Sequence, residues 1–448
     1  MKKVDVLVIG GSAAGLVSAV TVKSNNPEKV VMMVRQEEKV MIPCGIPYIF
    51  GTLKTSDNNV LPDKSLNSLG VEIKIDTVMT IKKNEKVCKT LDGTEIEYDK
   101  LIIATGSKPY IPNWLEGSNL DNVFTIPKDK VYLDELMNVL KGCRNVVVVG
   151  AGFIGVEVSD EISKTGATVS LIEIQSHILG QAFDEGVATE AESILKSRGI
   201  HVMTNVGVKK IDGVKKVSKV ILDNGEELEA DAVILSMGYR ANISLVKEAG
   251  IDLAESGAIY VDEYMRTNTT DIFAVGDCAM KRDFVTGKPS NIMLASTACA
   301  EARVAGMNLY TLSTVRSFNG TIGIYSTNIG DTSFGVAGLT ERYAIKEGFD
   351  VITGSFTGMD RHPGKFADAH SQTVKLIVSK DGGVILGGEV IGGSSVGELI
   401  NVIGFIIQGG MSLTNLLVSQ IGTQPMLTAS PAAYPLIKAA EAIAMKLR

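Results

Sequence analysis

The chain has 448 residues, 45% of them hydrophobic and 21% charged, which supports two or three packed domains and excludes global disorder. A formal net charge of −7 argues against a binder of nucleic acid or anionic membrane, and no apolar run approaches the roughly 20 residues that span a bilayer. The five cysteines, Cys44, Cys88, Cys143, Cys278 and Cys299, have no CxxC spacing. Neither a disulfide framework nor a metal site is expected, and a cytoplasmic, reducing compartment is the default.

Asp5 interrupts the apolar run after Met1-Lys2-Lys3, so the chain is expected to open on a β-strand rather than a signal peptide. That strand, from Val4 to Ile9, enters Gly10-Gly11-Ser12-Ala13-Ala14-Gly15, and a helical pattern follows through Leu16 to Val20. The order is that of a dinucleotide turn, with Ser12 at the usual second glycine and a pyrophosphate expected at the helix N-terminus. The next strand, Val30 to Val34, ends at Arg35 where a ribose-binding acid is expected; Glu37 and Glu38 are near enough to substitute.

Met41-Ile42-Pro43-Cys44-Gly45-Ile46-Pro47-Tyr48 follows. Pro47 suits the first turn of a helix, so Cys44 is expected at or just before a helix N-terminus, where the macrodipole favours a thiolate. Gly45 would let a flat ligand approach the backbone. These residues alone leave a packed cysteine equally open. Short strands are expected near 71–75, 77–82 and 86–91, and another apolar strand ends at Ala104-Thr105-Gly106. Pro109 and Pro112 read as a domain crossing.

A second fold begins at Asn145 and enters Gly150-Ala151-Gly152-Phe153-Ile154-Gly155, a full GxGxxG. Its second strand ends at Glu173, with no Arg or Lys in the five residues that follow, which favours NADH over NADPH. The strand ending at Ser236-Met237-Gly238 mirrors the one ending at Gly106, so the halves read as internal repeats. Val275-Gly276-Asp277 places an aspartate after an apolar strand, suited to a sugar-alcohol hydroxyl, with a helical pattern from Ala295 to Leu309 beyond it. From about Val315 the pattern becomes α+β, with glycine pairs that suit turns and close strand approaches.

These four motifs, in this order, resemble the FAD-dependent pyridine nucleotide–disulfide oxidoreductases over essentially the whole chain. The resemblance implies an α/β fold: two dinucleotide-binding (Rossmann-like) domains plus a C-terminal α+β dimerisation domain. The FAD-binding domain would comprise residues 1–112 and 241–314, the NAD-binding domain 113–240 and the dimerisation domain 315–448. FAD would lie on Gly10, Ser12, Ala13, Ala14, Gly15, Arg35, Ala104, Thr105 and Gly106, completed by Asp277. NADH would lie on Gly150, Gly152, Phe153, Ile154, Gly155, Glu173 and Gly238. A homodimer is implied, in which each C-terminal domain reaches the other copy's active site.

Family members that reduce glutathione disulfide or lipoamide use a CxxxxC pair and a His-Pro near the C-terminus. Here Ile49 stands five residues after Cys44, and Gln424 precedes Pro425. The chain therefore resembles the single-cysteine branch of coenzyme A-disulfide reductases, NADH-dependent persulfide and polysulfide reductases, NADH oxidases and NADH peroxidases. Tyr434 matches one proton-donating tyrosine of the coenzyme A-disulfide reductases, and His362 stands at the other, before Pro363.

Three functions follow from the resemblance. The first is an NADH-dependent reductase of a disulfide, persulfide or polysulfide through Cys44. The second is an NADH oxidase or peroxidase cycling Cys44 through sulfenic acid, with oxygen or peroxide as acceptor. The third, ranked last, is an electron-delivery flavoprotein for a protein partner. Coenzyme A is a possible substrate or ligand, but the first helix carries only Lys23 as a cation; Lys39, Lys54 and Lys64 are loop candidates. No appended rhodanese domain is expected.

Overall fold

The computed structural model describes residues 1–313 and 317–447, so the expected boundary between 314 and 315 lies outside the described residues. The first apolar run forms the strand Lys2–Ile9, which lies between Val31–Arg35 and Glu95–Ile103 in a seven-stranded sheet. Both neighbours run parallel to it. Val31–Arg35 is buried at every position, as a parallel strand covered on both faces must be. Glu95–Ile103 divides its pairing: its first half meets the antiparallel Val87–Thr90, its second half the parallel Ile272–Ala274. The pairing with Ile272–Ala274 brings the Asp277 segment to the glycine turn, although some 260 residues separate them in sequence.

The second sheet has the order His201–Met203, Thr168–Ile172, Asn145–Val149, Ala232–Leu235, Val123–Thr125, all parallel. Asn145–Val149 is continuous β-branched apolar sequence apart from its first residue, which suits a central buried strand. The chain passes between the two folds at Ser107–Pro109 and returns at Tyr239–Ala241, and these segments pair antiparallel. The outward and return crossings thus form one two-stranded ribbon, steadied by the Arg240 guanidinium 3.7 Å from the Tyr110 ring centre.

The C-terminal part is a five-stranded antiparallel sheet of order Ile324–Ile329, Thr332–Gly338, Ile385–Gly392, Ser371–Ser379, Val351–Met359. Helices Val396–Gln408 and Pro435–Lys446 bury Ile400, Ile403, Ala439 and Ile443 against it. Gly387 is a close strand approach, since a Cβ there would lie 1.9 Å from the Leu339 carbonyl oxygen. Val402 and Phe405 on Val396–Gln408 stay exposed, as do Val418, Met426 and Leu427. Among the described residues no helix is long and apolar enough to cross a membrane.

Candidate active site

The two glycine turns are built alike. Gly10 and Gly150 have φ of 110° and 95°, in the region that favours glycine. A Cβ on Gly10 would lie 2.2 Å from the Ala104 carbonyl oxygen, and one on Gly150 would lie 2.5 Å from that of Ser236. Gly15 and Gly155 each press on the carbonyl of the first glycine, where a Cβ would sit 1.9 Å away. Each strand therefore passes into its helix with backbone against backbone. Ser12 and Gly152 are extended N-caps with no side-chain capping bond, which leaves the first amides of Ala13–Asn25 and Phe153–Ser163 to an anion.

The first cleft is lined by Gly10, Ser12, Arg35, Ala104, Thr105 and Gly106. Ala13, Ala14 and Gly15 lie inside the helix, with Ala14 against Gly276. Asp277 sits in a one-turn 3₁₀ helix, Gly276–Cys278, and accepts hydrogen bonds from Ser107 Oγ at 2.7 Å and Lys128 Nζ at 2.8 Å. Burial works against its charge, but the Lys128 ammonium and the Ser107 hydroxyl hold the carboxyl below the usual range. Beneath the turn, Glu301 accepts from the Gly276 amide at 2.8 Å, and Lys281 donates to the Gly276 and Ala279 carbonyls. Glu301 and Lys281 pair at 3.0 Å, both buried, and burial pushes the Glu301 carboxyl up to about 7. Cys278 packs fully buried against the Val275 and Ile103 carbonyls. A cleft floored by glycines, with the Asp277 carboxylate bonded to its lining residues Ser107 and Lys128, fits a pyrophosphate joined to a polyol, as in FAD.

Arg35 does not meet this cleft as an acid would. Its guanidinium makes a bidentate pair with Asp63, at 2.6 and 2.7 Å, and donates to the Glu37 and Glu38 carbonyls. Glu37 and Glu38 thus serve Arg35 through their backbone. The Arg35 stem also explains Gly11, where a Cβ would lie 2.4 Å from Arg35 Cδ.

The second cleft, about 940 Å³, lies between the second fold and the C-terminal sheet and is lined by Gly150, Gly152, Phe153, Glu173, Gly238 and Tyr325 among others. Ile154 packs on the core beneath. Glu173 accepts from the Ala151 amide at 2.8 Å and the Gln175 amide at 2.9 Å, so each oxygen is oriented and keeps a free lone pair for a ribose hydroxyl. The Phe153 ring stacks on Tyr325 with centres 4.9 Å apart.

Cys44 lines neither cleft but lies within electrostatic reach of Lys128, which lines the first, and of Glu157, one helical turn beyond Phe153 of the second. The expected helix N-terminus is absent: Pro43–Gly45 and Pro47–Ile49 are separate three-residue 3₁₀ turns, each opened by its own proline. No aligned run of peptides exists to lower the thiol, and its pKa moves the other way. Burial of the sulfur raises it, the Glu157 carboxylate adds to this, and Lys128 opposes. Cys44 as a residue is nonetheless exposed in the single chain. Asn59 also approaches Gly45 closely: a Cβ there would lie 1.9 Å from Asn59 Oδ1, and Asn59 braces the turn by donating to the Ile42 carbonyl. The groups acting on the Cys44 thiol include Lys128 and Asp277 from the first cleft, Glu157 from the second-fold helix, and Cys299.

Sequence reasoning missed Glu157 and Glu161. Glu157 lies four residues after Phe153, on the same helix face, and accepts from Thr327 Oγ1 at 2.8 Å. Burial pushes its carboxyl up to about 7. That one-turn spacing was the available signal. Glu161, one turn further, is buried and accepts from the Thr52 amide at 2.6 Å and from Thr52 Oγ1 at 2.9 Å. One helix therefore starts at the second glycine turn, faces the cysteine in its middle and grips the cysteine segment at its end.

Tyr434 is the half-buried N-cap of Pro435–Lys446, and burial raises its phenol pKa. His362 Nδ1 lies 2.9 Å from the Thr428 carbonyl oxygen, and the His362 amide donates to the Pro425 carbonyl. His362 and Gln424 thus share one corner of the C-terminal part through Thr428, and neither they nor Tyr434 line either cleft in the single chain.

Residues 4–302 match the model of the pyridine nucleotide-disulphide oxidoreductases, and residues 324–433 match their dimerisation domain. The chain belongs to this oxidoreductase family. The family implies FAD and NAD(P)H, and the dimerisation domain suggests a homodimer, to which the exposed apolar side chains of the C-terminal part are suited. An NADH oxidase of Methanocaldococcus jannaschii is 32% identical over 416 residues, 90% of each chain. An NAD(P)H coenzyme A polysulfide/persulfide reductase of Pyrococcus horikoshii is 32% identical over 432 residues, 95% of each. Among solved structures, an NAD-dependent persulfide reductase from A. fulgidus matches with a TM-score of 0.91 at 30% identity, covering 99% of this chain and 83% of that one.

Proposed function

We propose that this flavoprotein oxidises NADH and passes the electrons through Cys44 to a small disulfide, persulfide or polysulfide. The observation that carries the reading is the position of Cys44: its thiol feels Asp277 and Lys128 of the first cleft and Glu157 of the second-fold helix together. FAD, when bound, supplies the two-electron relay between nicotinamide and sulfur. The Cys44 thiolate attacks one sulfur of the acceptor, forming a mixed disulfide and releasing the other as a thiolate. Two electrons from NADH then cleave that mixed disulfide, returning the Cys44 thiolate and freeing the second thiol. Tyr434 and His362, supplied by a second copy, would protonate the departing sulfur.

NADH is favoured over NADPH because a 2′-phosphate would face the Glu173 carboxylate, with Ile174 and Gln175 next in the chain. Coenzyme A is disfavoured as the obligatory carrier. Lys23, the only cation on the first helix, spends its ammonium on the Pro27 and Lys29 carbonyls at 2.8 and 2.7 Å. The relatives named NADH oxidase, at 32% and 30% identity, favour a second reading in which oxygen is the acceptor.

The test follows NADH oxidation without oxygen, using polysulfide, coenzyme A disulfide or peroxide as acceptor, and in air with no added acceptor. Wild type and Cys44→Ser are compared. Loss of the polysulfide and disulfide rates in the variant supports the proposal. A variant with full rate on every acceptor removes Cys44 from the mechanism, and a rate seen only in air transfers the assignment to the oxidase.

A further inference from the structure

Trp114 is the chain's single tryptophan, and it is 62% exposed although its neighbours in sequence are fixed. Before it, the Tyr110 amide donates to the Gly238 carbonyl at 2.9 Å. After it, Leu115 is 3% exposed and packs in one core with Val149, Val206 and Val208. The Ile211 amide holds the Glu116 carbonyl at 2.9 Å, and Gly117 presses on Ile211, where a Cβ would lie 1.9 Å from the carbonyl oxygen. A loop anchored on both sides of an uncovered indole presents that indole rather than merely failing to bury it.

What it faces is the second cleft, whose lining it shares with Glu173, Ile174, Val206, Gly207 and Asp223. The Val206 amide donates to the Glu173 backbone carbonyl at 3.2 Å, and Ile174 reaches to Gly207, 3.5 Å from where a Cβ would stand. Ile174 is also exposed, at 73%. Two large apolar side chains are therefore left open in one cleft that also holds the ribose-side acid. In a dinucleotide whose pyrophosphate lies on the Gly150–Gly155 turn and whose ribose meets Glu173, the adenine is the group carried beyond that ribose.

We propose that Trp114, with Ile174, forms the adenine subsite of the NADH cleft, the indole stacking on the base. Planar base–aromatic contact requires no hydrogen-bond code and uses a flat apolar surface. The inference rests on the NADH reading of the second fold, and it makes Trp114 a determinant of dinucleotide over mononucleotide.

The experiment compares NADH with reduced nicotinamide mononucleotide, which lacks the adenosine half. The holoenzyme and its Trp114→Ala and Trp114→Phe variants are used, with ferricyanide as acceptor. Trp114→Ala is expected to raise the KM for NADH about tenfold with kcat held within about twofold, and to leave kcat/KM for the mononucleotide unchanged. Trp114→Phe should recover most of the loss. In the wild type, 5′-AMP should quench the emission of the lone tryptophan, and Glu173→Ala should weaken that quenching. An unchanged NADH KM in Trp114→Ala overturns the subsite while leaving NADH in the cleft. Equal losses on both nucleotides also overturn it, marking Trp114 as structural. If Glu173→Ala too leaves the NADH KM unchanged, the NADH reading of this fold fails with it.

Discussion

The chain solves the same packing problem at Gly10 and Gly150, and one strand later it solves two different ones. Both turns press glycine on a neighbouring carbonyl at nearly the same distances. At the end of the adjacent strand the first fold has Arg35 and the second Glu173. Each choice reaches back into its turn. The Arg35 stem fills the space above residue 11, which must be glycine. The Glu173 carboxylate instead takes the amide of residue 151, where alanine is tolerated because a main-chain N–H is all that is needed. A glycine fingerprint therefore reports backbone geometry, while the strand-end residue reports whether the cleft offers the ribose an acceptor. In the first fold that acceptor is absent, and the nearby Asp277 carboxylate sits on a turn whose Gly276 backbone is held by Glu301 and Lys281.

The sharpest way to divide the two clefts is to remove the Cys44 thiol. Cys44→Ser is expected to lower turnover with sulfur acceptors on the order of a thousandfold, while stopped-flow reduction by NADH with ferricyanide as sink stays near wild type. Next comes the strand-end acid. Glu173→Ala should raise the NADH KM about thirtyfold and narrow the gap to NADPH, read from initial rates with both nucleotides.

Its counterpart should behave differently. Asp63→Ala strands a buried guanidinium, whose partner is itself one-third exposed, and should cost about 2 kcal/mol in urea denaturation of the holoenzyme with the NADH KM unchanged. If Asp63→Ala moves the NADH KM, or Glu173→Ala matches its loss of stability, the contrast between the folds collapses.

Smaller effects are expected from charge. Glu157 is raised from 4.5 to about 7, so the folded chain holds this proton more tightly than the unfolded one. Its contribution to stability is complete below pH 4.5 and is lost as pH rises through about 7. Glu157→Gln should remove that slope from denaturation midpoints. It should also lower the pH at which iodoacetamide alkylates Cys44, because the carboxylate that raises the thiol is gone. Smallest of all, Cys299→Ser should leave polysulfide turnover within about twofold if, as proposed, Cys44 alone carries the electrons. A loss as large as that of Cys44→Ser would make the pair a dithiol centre.

Short-range patterns carried much of this protein into the sequence. Strand, glycine turn and helix are contiguous, so Gly10–Gly15 and Gly150–Gly155 were legible from steric rules alone, and Glu173 followed from its distance to Gly150. Val275-Gly276-Asp277 was legible as a motif, but its pairing beside Glu95–Ile103 is a long-range event that no local pattern encodes.

Tertiary structure decided the rest. Two prolines four residues apart could open one helix or two 3₁₀ turns, and the bracing of Gly45 by Asn59 belongs to the pair of turns that formed. Arg35 reads as an anomaly until Asp63 folds over it. Glu157 and Glu161 read as ordinary helix surface until the second fold packs against the cysteine segment and buries them. A side chain's own sequence states its charge and its helical face, but whether that charge is solvated, paired or aimed at a thiol depends on atoms that only folding brings near.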